Sequence, residues 1–474
     1  MNKWQKQPWW IWGIGMLVLI ELGLTAYQYF HLSLDGDLAP IVLPAEHYAK
    51  TLADPFALST WGKGEQYAGA GRAFSHWWLK VYFDNFPGYL QSFLTPIDSL
   101  YGAAALFRWA AHLSFLFLLV NIARPVFATK HPKYFWLSSS IVGLGLAFPL
   151  LQVGGFHEQI GLVNRSVSYA AFYAWPLVGL LWWWAPYLRA ALRGESAALS
   201  SISAVLRCLL ALPLALSGPL VGPTQLVLLA VIIAACWLGR IPRWKVSFLP
   251  ILIFTVFAAY AFFVGRWNSE TPAEVPSLFT RYQDLVGGLW YQFSLRLGMP
   301  LLVLGLAVNF YLARKWLPPQ QWQALRQFGG ILLAFLLLYL LLLPLGGWRQ
   351  YRSSIIRVDT QLPITIGLLL LLISSSWRLL LSTLSHKRRF AYGLALGGYL
   401  LIFQLADVNL SAKNECERSA LETLRSSQQA ISLVAADCSV LGWDIVESAE
   451  QSRLTAEFLL QLSVTDSLRL FKQE

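Results

Sequence analysis

The residues best placed to do chemistry stand together near the start of the chain, in Leu34-Asp35-Gly36-Asp37. Two carboxylates flanking one glycine can turn toward a single point. There they would hold a divalent cation such as Mg or Mn, or let one carboxylate act as a base beside its charged neighbour. The same residues also make an ordinary helix-stopping turn, because Asp-Gly is common turn chemistry. Cations suited to an anionic substrate lie far downstream, at Arg349, Arg352 and Arg357, with Arg281 and Arg296 as second choices. If 349–357 is helical, steps of three and eight residues rotate by about 300° and 80°, so the three guanidiniums share a broad face. Arginine grips phosphate bidentately, which suits this cluster to a phosphate clamp, although any one arginine can equally snorkel toward lipid headgroups. His157 and Glu158 offer a metal ligand or a contact to a sugar hydroxyl, and such a pair in a loop is also ordinary solvated surface. If Asp37 holds a cation, Glu158 is its expected distant partner.

These residues need elements to position them, and composition says what kind. Of 474 residues, 56% are hydrophobic and only 13% charged, with mean hydropathy +0.51. Soluble domains carry about 25% charged residues, so a water-soluble globule is excluded. Segments approaching the roughly 20 apolar residues that a membrane span needs fall at about 9–30, 99–122, 134–153, 168–188, 203–217, 224–239, 246–265, 298–313, 329–345, 363–383 and 390–406. The fifth and sixth are short and would also fit one re-entrant hairpin. The expected fold is an all-α polytopic membrane protein with about 11 transmembrane helices over 1–406. It carries a large first outer loop at 31–98 and a small α/β outer domain at 407–474.

The net charge of +11 would point to nucleic acid in a soluble protein, but here it is a sorting signal and no nucleic acid is expected. Lys3, Lys6, Arg124, Arg189, Arg193, Arg240, Arg314, Arg378 and Arg389 are among the basic residues that fall on one side, where Glu195 is the only acid. Lys/Arg bias over short loops puts that side in the cytoplasm, with the N-terminus, and the tail outside. The first apolar run is too long and Trp-rich for a cleaved signal and has no A-x-A site, so it is expected to stay as a helix. Residues 285–297 read as an aromatic amphipathic helix at the interface. Glu21 and Arg108 each lie about 13 Å below the outer end of their spans at 1.5 Å per residue. Equal depth predicts an ion pair, with a proton relay as the alternative.

Trp residues gather at span ends, including Trp12, Trp77, Trp78, Trp182, Trp183, Trp184 and Trp237, as an aromatic belt does. Trp61, Tyr67, Trp77 and Trp78 lie in the first outer loop, where rings also suit sugar stacking. In the tail, a helix is expected over 414–433, a short strand within 431–436 and a helix over 446–462. Cys416 and Cys438 both fall there, either as a disulfide, which an oxidising compartment permits, or as two free thiols.

An acidic motif in the first outer loop, straight after the first span and followed by a long aromatic loop, resembles the glycosyltransferase C superfamily of polytopic membrane enzymes. Asp35 and Asp37 are the matching positions. The resemblance implies that they supply the catalytic base or a metal ligand. It also implies a polyprenyl-phosphate-linked sugar donor and an envelope glycan or lipid acceptor on the outer face of the bacterial cytoplasmic membrane, among membrane lipids. The Trp-Trp-Asp-Tyr-Gly motif of oligosaccharyltransferases is absent. The stretches 96–99 and 347–360 resemble parts of bacterial multi-span envelope proteins, a likeness that implies no function. Alternatives are a polysaccharide polymerase or ligase, a transporter or flippase for a lipid-linked glycan, and a non-catalytic envelope-assembly partner. No Walker-A or Rossmann fingerprint supports a nucleotide-driven pump.

Overall fold

The computed structural model describes residues 9–125, 132–153, 160–197, 199–239, 247–270, 274–294, 296–346, 348, 354–382, 385–407 and 411–474. The chain is mostly helical. It opens with α1 (Trp9–Phe30), followed by four helices where a loop was expected: α2 (Leu38–Val42), α3 (Glu46–Ala53), α4 (Leu58–Lys63) and α5 (Ala73–Leu90). Then come α6 (Pro96–Ala123), α7 (Pro132–Ala147) and α8 (Val167–Tyr169), the last running through a π-helical turn, Ala170–Ala174, into α9 (Trp175–Arg193). The rest of the bundle is α10 (Ser201–Ala215), α11 (Val221–Trp237), α12 (Phe248–Val264), α13 (Leu278–Ser294), α14 (Gly298–Trp316), α15 (Pro319–Leu342), α16 (Leu362–Leu381) and α17 (His386–Leu405).

A helix lies on each expected apolar segment. Five of them, Ile11–Phe30, Pro96–Ala123, Phe248–Trp267, Pro319–Leu345 and Leu362–Leu381, are long and apolar enough to cross a membrane, or six if the pair α13 and α14, bent by 74°, counts as one. The others are shorter or more polar; α10 and α11 stand as two separate helices. Local chemistry sets the ends: Thr95 caps α6 by accepting the Asp98 amide at 3.1 Å, with Pro96 at the first helical position.

α6 and α16 are central, with 67% and 78% of their apolar windows buried against 17% for α1. Because lipid tails do not drive apolar helices together, small and polar residues supply the joints. Asn309 on α14 donates to Ser375 (3.0 Å) and Ser376 (2.8 Å) of α16 and accepts from Tyr392 of α17 (2.9 Å). Gln225 of α11 accepts from Trp184 of α9 (2.9 Å) and donates to Thr255 of α12 (3.0 Å). Trp183 and Trp184 are therefore buried and not part of the aromatic belt, because their indole N–H groups have inward acceptors. Trp12, Trp77, Trp78 and Trp237 do face outward.

The tail folds as α18 (Ser411–Ser426), β1 (Ile431–Val434), α19 (Arg453–Gln461) and β2 (Leu470–Gln473). Its two strands pair in parallel, Ile431 opposite Leu470 and Val434 opposite Gln473. Cys416 and Cys438 form a disulfide across 22 residues, tying α18 to the loop after β1.

Candidate functional site

The acidic turn sits where α1, the π-turned start of α8 and α9, and the tail meet. Asp35 is buried and spends both oxygens inside the protein. Oδ1 accepts from the Ser168 hydroxyl at 2.6 Å and from the Asp37 amide at 3.2 Å, and Oδ2 accepts from the Ser168 amide at 3.1 Å. An anion at the first turn of α8 also suits that helix end. Asp37 is half-buried. Its Oδ1 accepts from the indole of Trp443, in the tail, at 3.1 Å. Burial, and then the charge of Asp35, raise its affinity for a proton, against the Trp443 hydrogen bond and the positive charge of Arg72.

Gly36 is what lets the turn lie under the tail. A Cβ there would fall 2.8 Å from the backbone nitrogen of Trp443. A second tail residue, Glu417, reaches the turn from below. It is fully buried, accepting the Leu34 amide (2.9 Å) and the Tyr101 hydroxyl (2.6 Å) on one oxygen and the Leu441 amide (2.9 Å) on the other. Burial pushes its carboxyl up to about 7, although these hydrogen bonds pull the other way. Asn414 donates to Leu32 O at 3.1 Å, and Arg418 binds Asp98 at 2.6 Å while lying over the rings of Tyr101 and Phe30.

Arg72, whose positive charge is felt at Asp37, is ion-paired with Glu270 at 3.2 Å and stacked over Phe172 of the π turn, 4.5 Å from its centroid. Gly69, with φ +75°, makes room for it: a Cβ there would meet Arg72 Nε at 2.4 Å. The Ser75 hydroxyl of α5 lies within hydrogen-bond reach of the Ala171 carbonyl of the π turn, at 2.9 Å, and of the Ser217 carbonyl. Such turns recur at functional sites.

The expected Glu21–Arg108 ion pair does not form. Glu21 accepts from Gln404 of α17 at 2.7 Å. Arg108, fully buried, donates to the carbonyls of Ala104 (3.1 Å), Tyr29 (3.0 Å) and Arg165, and lies in the field of Asp35 and Glu417. Equal depth did not make them partners because the two side chains leave their helices toward different neighbours.

Of the expected phosphate clamp, Arg349 and Arg352 lie outside the described residues, as do His157 and Glu158. Arg357 pairs with Asp359 at 3.0 Å. Arg281 donates to the carbonyls of Pro276 (3.1 Å), Pro344 (3.0 Å) and Gly346 (3.3 Å), clipping α13 to the turn that ends α15. Arg296 lies over the Tyr291 ring and bonds its hydroxyl at 3.1 Å. Among the described residues no group of three His, Cys, Asp or Glu side chains converges to hold a metal ion. Asp35 and Asp37 turn to different partners, and Glu158, the expected distant partner of a cation at Asp37, lies outside the described residues. A shallow indentation, with room for about one water molecule, lies where Gly161, Leu162 and Asn164 meet Tyr173, Asp359 and Leu362.

Sequence reading missed Ser168, Arg72, Glu270, Glu417 and Trp443. Ser168, Glu417 and Trp443 contact the turn, and Arg72 and Glu270 act on it through their charge, all from more than 30 residues away, which no local pattern announces. Tyr67, expected as a sugar platform, is buried and donates to Asp54 at 2.6 Å.

The fold and site define a helical membrane protein whose acidic turn is clasped by its own tail. The chain matches no protein-family model and no curated protein.

Proposed function

We propose that the chain is a membrane glycosyltransferase. It moves a sugar from a polyprenyl-phosphate-linked donor to an envelope glycan or lipid on the outer face of the bacterial cytoplasmic membrane. The chain crosses that membrane about eleven times with its N-terminus in the cytoplasm.

The observation that carries this reading is Asp37. It is a half-buried carboxylate with raised proton affinity, just past the end of α1, beside a second carboxylate that the fold has already used. Asp35 then holds the turn, and Asp37 is the base. In the reaction Asp37 takes the proton of the acceptor hydroxyl, and the oxygen attacks the anomeric carbon. The bond from that carbon to the phosphate oxygen breaks, and polyprenyl phosphate leaves with the electron pair. Arg349, Arg352 and Arg357 are the sequence's best group for the departing phosphate, and Arg72 is a cation whose charge is felt at Asp37.

A second reading has its own support. Glu417, Trp443 and Asn414 all fasten the tail to residues 32–37, so the turn also fits a latch in a non-catalytic envelope-assembly partner. Replacing Asp37 by Asn and measuring both surface glycan and protease resistance of the tail separates them. Loss of glycan with the tail still docked supports the enzyme; normal glycan contradicts it.

A further inference from the structure

Asp37 has one carboxylate oxygen committed and one open. Oδ1 accepts from the indole of Trp443 at 3.1 Å, and Oδ2 has no hydrogen-bond partner among the described residues. A base stands within about 3 Å of the proton-bearing oxygen it serves. A hydroxyl at Oδ2 is therefore close to the edge of the Trp443 ring, and the atoms bonded to that hydroxyl lie against the ring itself.

The fold fixes that ring from several directions. Glu417 accepts the amide of Leu441 at 2.9 Å, and the disulfide to Cys416 holds Cys438 at the start of the same loop. Leu441 takes a φ of +44°, a conformation that a leucine keeps only where its surroundings impose it. Gly36 leaves room beneath the indole, since a Cβ there would fall 2.8 Å from Trp443 Cδ1. Tyr169 lies beside it, ring centroids 5.4 Å apart and planes tilted by 35°, and Tyr173 continues the aromatic row at 5.8 Å. Although held in this way, Trp443 is 52% exposed, whereas Leu441 in the same loop is buried. The result is a flat apolar surface with a polar edge turned to a carboxylate. Its chemical counterpart is a ring with C–H bonds on its face and hydroxyls around its rim, which is a sugar. A lipid hydroxyl would come from the bilayer side of the turn, but Trp443 belongs to the polar tail.

We infer that Trp443, backed by Tyr169, is the binding platform for the acceptor, and that the acceptor is a glycan whose sugar ring stacks on the indole with one hydroxyl at Asp37 Oδ2. This rests on the glycosyltransferase reading and chooses between the glycan and lipid acceptors that it leaves open. The indole N–H also positions Asp37, so the ring and the N–H make separable contributions, one to acceptor binding and one to the base.

The test measures sugar transfer by membranes carrying the full chain, from the source bacterium's polyprenyl-phosphate-linked donors to either its delipidated envelope polysaccharide or its phospholipid fraction. Trp443→Leu should raise KM for the polysaccharide about tenfold. Trp443→Phe, which keeps a ring and loses the N–H, should stay within about threefold of the wild-type KM and lower kcat instead. Ile445→Ala, at an exposed position of the same loop, should change neither. If Trp443→Leu undocks the tail, the wild-type protein carries the test: hydroxyl-radical oxidation of Trp443 should fall as polysaccharide is added and not as phospholipid is added. An unchanged KM in Trp443→Leu with the tail docked, no protection of Trp443, or transfer to phospholipid alone would overturn the platform while leaving an inactive Asp37→Asn to support the enzyme. Transfer by the wild type to neither acceptor, or normal transfer by Asp37→Asn, would overturn the enzyme reading and the platform with it.

Discussion

Glu417 accepts the backbone N–H of Leu34 at 2.9 Å across 383 residues of sequence. Through this bond a residue of the tail shapes the turn that begins at the next position, Asp35. The tail is thereby part of the site, and its loss should be felt at Asp37.

Removing Glu417 tests that coupling. Glu417→Ala leaves the amides of Leu34 and Leu441 and the hydroxyl of Tyr101 buried without their acceptor. Each such orphan costs about 1–3 kcal/mol. We expect faster hydrogen exchange over residues 34–38 and easier proteolysis after residue 407, both measurable without any activity assay. Unchanged exchange at the Leu34 amide would show that the bond does not hold the turn.

Acidity should strengthen the tail. The carboxyl of Glu417 is raised in the folded protein to about 7 from the ordinary 4.5, so the folded state binds the proton more tightly than the unfolded one. Its stabilising contribution is full below about 4.5 and is lost as pH rises through about 7, by roughly 3 kcal/mol at most. Melting of the tail between pH 5 and pH 8 should show this slope, and Glu417→Ala should flatten it.

The disulfide between Cys416 and Cys438 spans 22 residues and flanks Glu417. Closing a loop of that size stabilises by about 3 kcal/mol in the chain-entropy picture. Dithiothreitol should therefore make the tail sensitive to protease while leaving the membrane bundle intact. A tail equally resistant before and after reduction would contradict this.

Glu21 and Arg108 make a sharper case, since sequence and structure disagree about them. Arg108→Glu would bury an acid against the carbonyls of Ala104 and Tyr29, at a cost of at least about 3 kcal/mol. Glu21→Gln keeps an acceptor for Gln404 and should cost under about 1 kcal/mol. The two effects should add in a double-mutant cycle. Rescue of Arg108→Glu by Glu21→Arg would contradict this and indicate the ion pair that the structure lacks.

These residues also show what a sequence discloses. Apolar runs announce spans because a helix in lipid must be apolar over its length, and each expected run carries a helix. The tail was legible for a related reason: its polar composition changes at 407, and α18, β1 and α19 follow local patterns, though β2, four residues long, did not. The carboxylates of the turn stood out by spacing alone. What they bind did not, because Ser168, Glu417 and Trp443 reach them through the fold. Depth along a helix was readable for Glu21 and Arg108, but the direction in which each side chain leaves its helix was not.

The central claim is that Asp37 is a base and Asp35 its support, and one measurement addresses it most directly. Asp37→Asn nearly preserves shape and leaves Oδ1 for the Trp443 indole, so the folded tail and expression should remain. Transfer of sugar from a polyprenyl-phosphate donor by membranes carrying the variant should fall on the order of 10²–10⁴-fold, as removal of a general base does. The wild type should lose activity as pH drops through a range above that of an ordinary aspartate, since proton affinity at Asp37 is raised. Full transfer activity in Asp37→Asn, with the tail docked, would contradict the account.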